Sequence, residues 1–408
     1  MVPKGWEVTT LGEHVTISSG YSPSKYVLAE SGSFPFVKVE DMNNCAKYQS
    51  ISRTYTETNG SPISKGAVIF PKRGAAIMNN KVRITDVEMY LDTNMMALTP
   101  KKSVFSEYLY YTLIKEELHK IADTSTIPQI NNKHILPYRF KLPPLPEQKK
   151  IAKILSTWDN AIATTEKLIA TSQQQKKALM QQLLTGKKRL GQKDSSISYK
   201  KTKYGKIPSD WDYPAIKEIS KQITKKNTES QDLPVLSCSK HDGFVDSLKY
   251  FKKKVYSDDT SGYRIIPRHC FGFPSNHIEE GSIGLQDIYE QGIVSPIYVV
   301  FSCDKKRVNN LFLYAMLKTE HYRQIFCAAT NASVDRRGSL RWKEFSGIHV
   351  PLPSLEEQQK IASVLTAADK EIELLQAKLA HLKDEKKALM QQLLTGKRRV
   401  KVEAMEMA

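Results

Sequence analysis

The stretch KKALMQQLLTGK occurs twice in this 408-residue chain, at Lys176–Lys187 and at Lys386–Lys397, without a single difference. The same offset of 210 positions lays LPEQKKIAKIL (Leu145–Leu155) over LEEQQKIASVL (Leu355–Leu365), so residues 142–190 recur as 352–400. A chain built this way is a tandem duplication, and each half must bury a core of its own. Neither Gly nor Pro falls between Gln148 and Leu184, or between Ser354 and Leu394, which predicts one long helix per copy. Pro146 suits the first turn of the first helix, Ser354 and Glu357 form a capping box for the second, and Gly186 and Gly396 stand where left-handed C-terminal caps belong. At 1.5 Å per residue, Glu147–Thr185 would span roughly 58 Å.

Alternating steps of four and three connect Ile151, Leu155, Trp158, Ile162, Thr165, Ile169, Ser172, Lys176, Leu179 and Leu183 in the first copy. In the second copy they connect Ile361, Leu365, Ala368, Ile372, Leu375, Leu379, Leu382, Lys386, Leu389 and Leu393. Both sets are heptad seams, and the natural partner of each helix is the other one. Lys176 and Lys386 interrupt the seams at equivalent places. Such a lysine either snorkels to solvent, leaving stability unchanged on substitution, or sets register at a cost in stability, which predicts that Lys386→Leu raises thermal stability and loosens pairing specificity.

The chain thus divides into six segments: a globular unit at 1–141, a helix at 142–190, a basic linker at 191–206, a second globular unit at 207–351, a second helix at 352–400 and a tail at 401–408. The two units open alike, with VPKGW and IPSDW. In the first, FPFVKVE (Phe34–Glu40), GAVIFPKRG (Gly66–Gly74) and MYLDTNMMALTP (Met89–Pro100) read as short strands, followed by a helix over Glu107–Ile121. In the second, RIIPRHCFGFP (Arg264–Pro274) stands for GAVIFPKRG, QGIVSPIYVVF (Gln291–Phe301) for MYLDTNMMALTP, and LFLYAMLKTEHYRQIF (Leu311–Phe326) for the helix. The expected fold class is α+β (mixed α/β), two globular domains alternating with two long helices.

Lys and Arg outnumber Asp and Glu by 61 to 43, a net charge of +18, which points to a polyanionic partner. The helices carry heptads rather than a basic amphipathic face, no lipidation signal is present and no stretch suits a membrane span, so nucleic acid is favoured over a membrane. The five cysteines lie singly, as free thiols of a cytoplasmic protein do. Arg, Lys, Asn and Gln can bond two base-edge atoms at once, and they gather on particular loops. One holds Lys72, Arg73, Asn79, Asn80, Lys81 and Arg83. Another holds Gln129, Asn131 and Lys133. In the second unit the candidates are Arg264, Arg268, Arg336, Arg337 and Arg341. No Gly-rich phosphate loop, HExxH or GxSxG is present, and no catalytic or metal-binding residues are assigned.

The two helix starts, LPPLPEQKKIAKIL and PLPSLEEQQKIASVL, the repeated ALMQQLLTGK and the two openings together resemble the specificity subunit of type I restriction-modification systems. The resemblance covers essentially the whole chain. It implies two target-recognition domains that each read one half of a split, asymmetric DNA site, and helices that form an antiparallel coiled-coil spacer. It also implies two methyltransferase subunits that supply S-adenosylmethionine, with none bound by this chain, and motor-nuclease subunits. A self-contained DNA methyltransferase or nuclease, and a coiled-coil scaffold with incidental positive charge, are the alternatives. A fragment ending near Lys206 holds one unit and one helix, and is expected to form a two-fold dimer.

Overall fold

The computed structural model describes residues 2–57, 60–190, 198–229, 231–330 and 339–402. They form two units, residues 1–168 with 375–408, and residues 169–374. Both long helices are present, Leu145–Leu183 and Leu355–Leu393, and each contributes one part to each unit. Among the described residues no helix is long and apolar enough to cross a membrane, and the five cysteines are unpaired.

In the first unit the central strand Val68–Pro71 is buried at every residue. It lies in a five-stranded sheet ordered Val15–Ser19, Met95–Pro100, Val68–Pro71, Arg83–Thr85, Tyr48–Gln49. The second unit repeats four of these positions with Ser220–Ile223, Tyr298–Cys303, Cys270–Pro274 and Gly284–Gln286. Phe70 and Pro71 pair with Met96 and Met95, as Phe273 and Pro274 pair with Val299 and Tyr298. The structural counterpart of the first unit's GAVIFPKRG is therefore the strand Cys270–Pro274 together with the loop that leaves it. Arg264–Pro267 is a separate strand, paired with Gln291–Val294. The apolar runs hide turns: MYLDTNMMALTP splits into Tyr90–Leu91 and Met95–Pro100, and QGIVSPIYVVF into Gln291–Val294 and Tyr298–Cys303.

The short helices differ from expectation in the same way. Glu107–Ile121 is two helices, Ser106–Glu116 and Leu118–Ile121, broken at Glu117 with φ 62°. The break is held from outside, because Asn80 donates through Nδ2 to Ile114 O at 2.9 Å and accepts the Leu118 N–H at 2.9 Å. Leu311–Phe326 likewise becomes Asn310–Leu317 and Glu320–Ala329, the second capped by the Thr319 hydroxyl. The expected linker is partly structured, since Tyr199–Thr202 and Gly205–Pro208 form an antiparallel hairpin.

Within each unit the helix portions run antiparallel. In the first, Lys386 Nζ lies 2.5 Å from Asp159 and Lys383 Nζ 2.8 Å from Glu166, while Ile151, Leu155, Met390 and Leu393 share one core. In the second, Lys176 pairs with Asp369, and Leu183, Ile361 and Leu365 share the other core. Each such buried aliphatic side chain contributes about 1.5–3 kcal/mol. Of the seam residues, Ile151, Leu155, Leu183, Ile361, Leu365, Ile372 and Leu393 are buried, and Trp158, Ile162, Leu179, Leu375, Leu379, Leu382 and Leu389 half-buried. Leu168 and Leu374, off the seam, are exposed. The seam lysines are thus ion-paired rather than stranded among apolar side chains.

The repeated Glu-Gln at each helix start explains how globular parts and helices are joined. Gln148 accepts the Phe105 N–H at 2.8 Å and donates to Ser103 O and Pro143 O. Gln358 does the same with Asn309, Arg307 and Pro353. Glu147 receives the Arg399 guanidinium at 2.7 and 2.8 Å and the Trp6 Nε1–H at 2.9 Å. Its counterpart Glu357 receives Arg189 at 2.7 and 2.8 Å. The expected capping box is therefore half formed: Ser354 Oγ accepts the Glu357 N–H at 3.3 Å, but the Glu357 carboxylate is taken by Arg189. Gly186 and Gly396 have φ of 69° and 72°. A Cβ at either would lie 2.3 Å from Pro208 or 2.4 Å from Pro3, so both the turn and the close approach require glycine.

Candidate nucleic-acid interface

In the first unit the buried strand Val68–Pro71 delivers the chain directly into the polar loop that begins at Lys72. Lys72 donates its N–H to Asn94 O at 2.8 Å and accepts the Ile130 N–H at 2.9 Å, and Gly74 donates to Pro128 O at 2.9 Å. Arg73 and Gln129 face each other in an antiparallel bridge. The two loops that look independent in the sequence, around 72–81 and 125–133, are one surface. Buried Ile77 and Ile130 anchor it from beneath. Arg73, Asn79 and Lys133 are exposed and make no side-chain hydrogen bond or ion pair with any described residue. Burial pulls the Lys72 ammonium below its usual pKa, against an opposing pull from Asp92.

Gln129 Nε2 donates to Asn131 Oδ1 at 3.1 Å. That leaves the Gln129 carbonyl oxygen as acceptor and the Asn131 amide as donor, side by side. Asn131 also precedes the one-turn helix Asn132–Ile135, its N–H bonded to His134 Nδ1 at 3.1 Å. Met78 and Ile127, 53% and 59% exposed, add apolar surface to the same two loops.

The second unit builds the same junction from different letters. Ser275, which comes after Phe273-Pro274 as Lys72 comes after Phe70-Pro71, donates its N–H to Ile297 O at 3.2 Å and accepts the Leu340 N–H at 2.8 Å. Arg341, exposed, precedes the one-turn helix Trp342–Phe345 as Asn131 precedes its own. The loop between holds Asn276, whose Oδ1 is buried with no hydrogen bond among the described residues, and His277, whose Nδ1 lies 3.0 Å from Glu280. Among the described residues, His277, Glu279 and Glu280 bring possible ligand atoms within 4.8 Å of one another.

This duplicated plan has a family. Residues 3–172 and 208–384 each match the model of the type I restriction modification DNA specificity domain. The chain belongs to that family. It is 27% identical over 432 residues to the type I restriction enzyme MjaVIII specificity subunit of Methanocaldococcus jannaschii, covering 98% of this chain and 94% of that protein. A putative MjaX specificity subunit of the same organism is also 27% identical, over 98% of this chain and 95% of its own. In fold, the chain is similar to a type I restriction-modification S subunit from M. genitalium, with a TM-score of 0.55 at 14% identity over 96% of each chain. It is also similar to the HsdS subunit of Thermoanaerobacter tengcongensis, with a TM-score of 0.52 at 16% identity over 97% of this chain and 98% of that one. The protein is a specificity subunit, the non-catalytic DNA-recognition component of a type I restriction-modification system.

Several residues expected to touch DNA are otherwise engaged in this specificity subunit. Arg83 donates to the carbonyls of Cys45, Val82 and Met42 at 2.8–2.9 Å, so its guanidinium is spent on holding the loop before Tyr48. Lys81 reaches Asn43 Oδ1 at 2.7 Å. Arg264 donates to Pro296 O at 3.1 Å and Arg268 pairs with Glu290 at 2.6 Å. Both lie on the strand Arg264–Pro267 and its turn, outside the loop that matches Lys72–Asn80. Arg336 and Arg337 fall outside the described residues. Ser275, Asn276 and His277 take the place of Arg264 and Arg268, and the shared Phe-Pro dipeptide is the sequence signal that finds them.

Proposed function

We propose that the joined loops of each unit read one half of a bipartite DNA target. In the first unit Arg73, Gln129, Asn131 and Lys133 are the reading residues. In the second they are Asn276, His277 and Arg341. The observation that carries this is the pair of matched junctions, Lys72 with Ile130 and Ser275 with Leu340, which hold unlike polar side chains on like scaffolds. The Gln129 carbonyl and Asn131 amide together offer an acceptor and a donor, the complement of the N6 donor and N7 acceptor of adenine in the major groove. Arg73 and Lys133 supply charge for phosphate or guanine.

On this reading the target has two unlike half-sites. Two methyltransferase subunits bring S-adenosylmethionine to it, and motor-nuclease subunits act on the assembled complex. Selection of bound duplexes from a random library by the assembled complex tests the assignment. Gln129→Ala with Asn131→Ala should relax one half-site only, each lost bidentate contact being worth about 1–3 kcal/mol of discrimination. Full discrimination at both half-sites would place the reading elsewhere.

A further inference from the structure

The hairpin Leu236–Ser239 and Gly243–Asp246 of the second unit runs into a short helix, Ser247–Phe251. Asp246 fixes its start, accepting the Lys249 N–H at 3.1 Å and the Tyr289 hydroxyl at 2.8 Å. Ser247 is the helix's one buried residue, and every residue from Leu248 to Val255 is exposed. Leu248, Tyr250, Phe251 and Val255 are 52%, 48%, 42% and 46% exposed, and the two rings meet edge to face at 5.1 Å. Lys249, Lys252, Lys253 and Lys254 are interleaved with them. Lys249 turns to Tyr289 at 2.9 Å and Lys254 to Asp258. Lys252, left-handed at φ 54°, and Lys253 make no hydrogen bond or ion pair with any described residue.

Burying unpaired ammonium groups against an ordinary protein surface is costly, whereas a polyphosphate backbone supplies the missing counter-charge and an open groove accepts the rings. The position fits. Tyr250 donates its hydroxyl to Asp242 at 3.0 Å in the hairpin turn. In that turn the Lys240 carbonyl, and at the end of the Ser275–Glu280 loop the Gly281 carbonyl, both accept from Lys318 Nζ, at 2.6 and 2.9 Å. One lysine thus ties the patch to the proposed reading loop.

We propose that Leu248–Val255 is a second DNA-contacting element of this unit. Lys252 and Lys253 neutralise phosphates beside the half-site, and Tyr250 and Phe251 pack into the adjoining groove. The inference rests on the reading that the Ser275–Glu280 loop meets DNA, and adds grip without adding sequence information.

The test uses the full chain assembled with its methyltransferase subunits, a duplex recovered by wild-type selection, and a shuffled duplex of the same composition. Affinities are measured between 50 and 200 mM salt for the wild type, Lys252→Ala with Lys253→Ala, and Tyr250→Ala with Phe251→Ala. Losing two phosphate contacts lowers the slope of log affinity against log salt by about 1.8, so the fall in affinity across that range shrinks about tenfold. The lysine variant should show this on both duplexes alike. The ring variant should weaken both with its slope unchanged, and neither variant should alter the preference for the selected duplex. A selective wild type with both variants indistinguishable from it overturns the patch and leaves the loop reading standing. A wild type that does not prefer the selected duplex overturns the loop reading itself. Variants that lose the methyltransferase but bind DNA as before would assign the patch to a protein partner and overturn the proposal.

Discussion

Arg189 and Arg399 occupy equivalent places after the two helices, yet replacing each by Met should cost very different amounts. Arg189 is 3% exposed and holds two carboxylates, Glu357, itself 7% exposed, and Asp210, 51% exposed. Its removal costs little at the half-exposed Asp210 but strands the Glu357 carboxylate, a loss of about 3–5 kcal/mol. Arg399 is 43% exposed, and its partner Glu147 keeps the Trp6 indole N–H at 2.9 Å when the guanidinium is gone. Glu147 is itself 4% exposed, so solvent screens the pair from the arginine side only, and with the indole bond kept its loss should cost about 1–2 kcal/mol. At about 2–4 °C per kcal/mol for a unit of this size, Arg189→Met should lower the melting temperature by roughly 6–20 °C and Arg399→Met by roughly 2–8 °C. Because two units need not unfold together, hydrogen exchange followed peptide by peptide is the suitable assay. Protection should fall at the start of the second helix for Arg189→Met, and at the start of the first for Arg399→Met. Adding Glu357→Gln to Arg189→Met should restore at least half of the loss. Equal costs for the two arginines, or no rescue by Glu357→Gln, would refute the view that Arg189 compensates a buried charge.

Lys386→Leu should destabilise the first unit by about 1–2 kcal/mol, lowering its melting temperature, because Lys386 is paired with Asp159; a rise would restore the view that the lysine is a cost. Asp41 is 1% exposed, and although burial raises its pKa, hydrogen bonds from Arg53, Lys38 N–H and Ser52 bring it below the ordinary value of 3.8. Its folded pKa being depressed, its contribution is present above that value and lost as the pH falls through the lower folded one, so the wild type should lose stability relative to Asp41→Asn below about pH 4 in an acid titration. A fragment ending at Leu190 should form a two-fold dimer, since its Arg189 can meet the partner copy's Glu147 as Arg399 does in the intact chain; light scattering that finds a folded monomer at tens of micromolar, roughly the range of weak specific association, would contradict this.

The long helices were legible because their signals are local and redundant: uninterrupted helix formers, glycine caps and a seam whose every member avoids full exposure. Less legible was anything set by a partner distant in sequence. Glu357 looks like a capping residue until Arg189 arrives, and Lys386 looks like a flaw in the seam until Asp159 faces it. The break at Glu117 depends on Asn80, which no helix propensity encodes. At the candidate interface, composition singles out Arg73, Gln129, Asn131 and Lys133, and the structure brings their loops together. It singles out Arg83, Arg264 and Arg268 as well, because a guanidinium bonded to carbonyls or to Glu290 reads in sequence like one that is available. The run Arg264–Pro274 that stands for GAVIFPKRG holds two strands, each ending in proline, and only the pairing shows that Cys270–Pro274 is the counterpart of Val68–Pro71.

The most direct test of the central claim is to map methylated bases in the DNA of cells that express this chain with its methyltransferase, by single-molecule sequencing, for the wild type and for Gln129→Ala with Asn131→Ala. The expected result is a target of two unlike half-sites separated by an unread gap, with the variant relaxed in one half and unchanged in the other. A contiguous or palindromic target, or a variant relaxed equally in both halves, would contradict the assignment of one half-site to each unit.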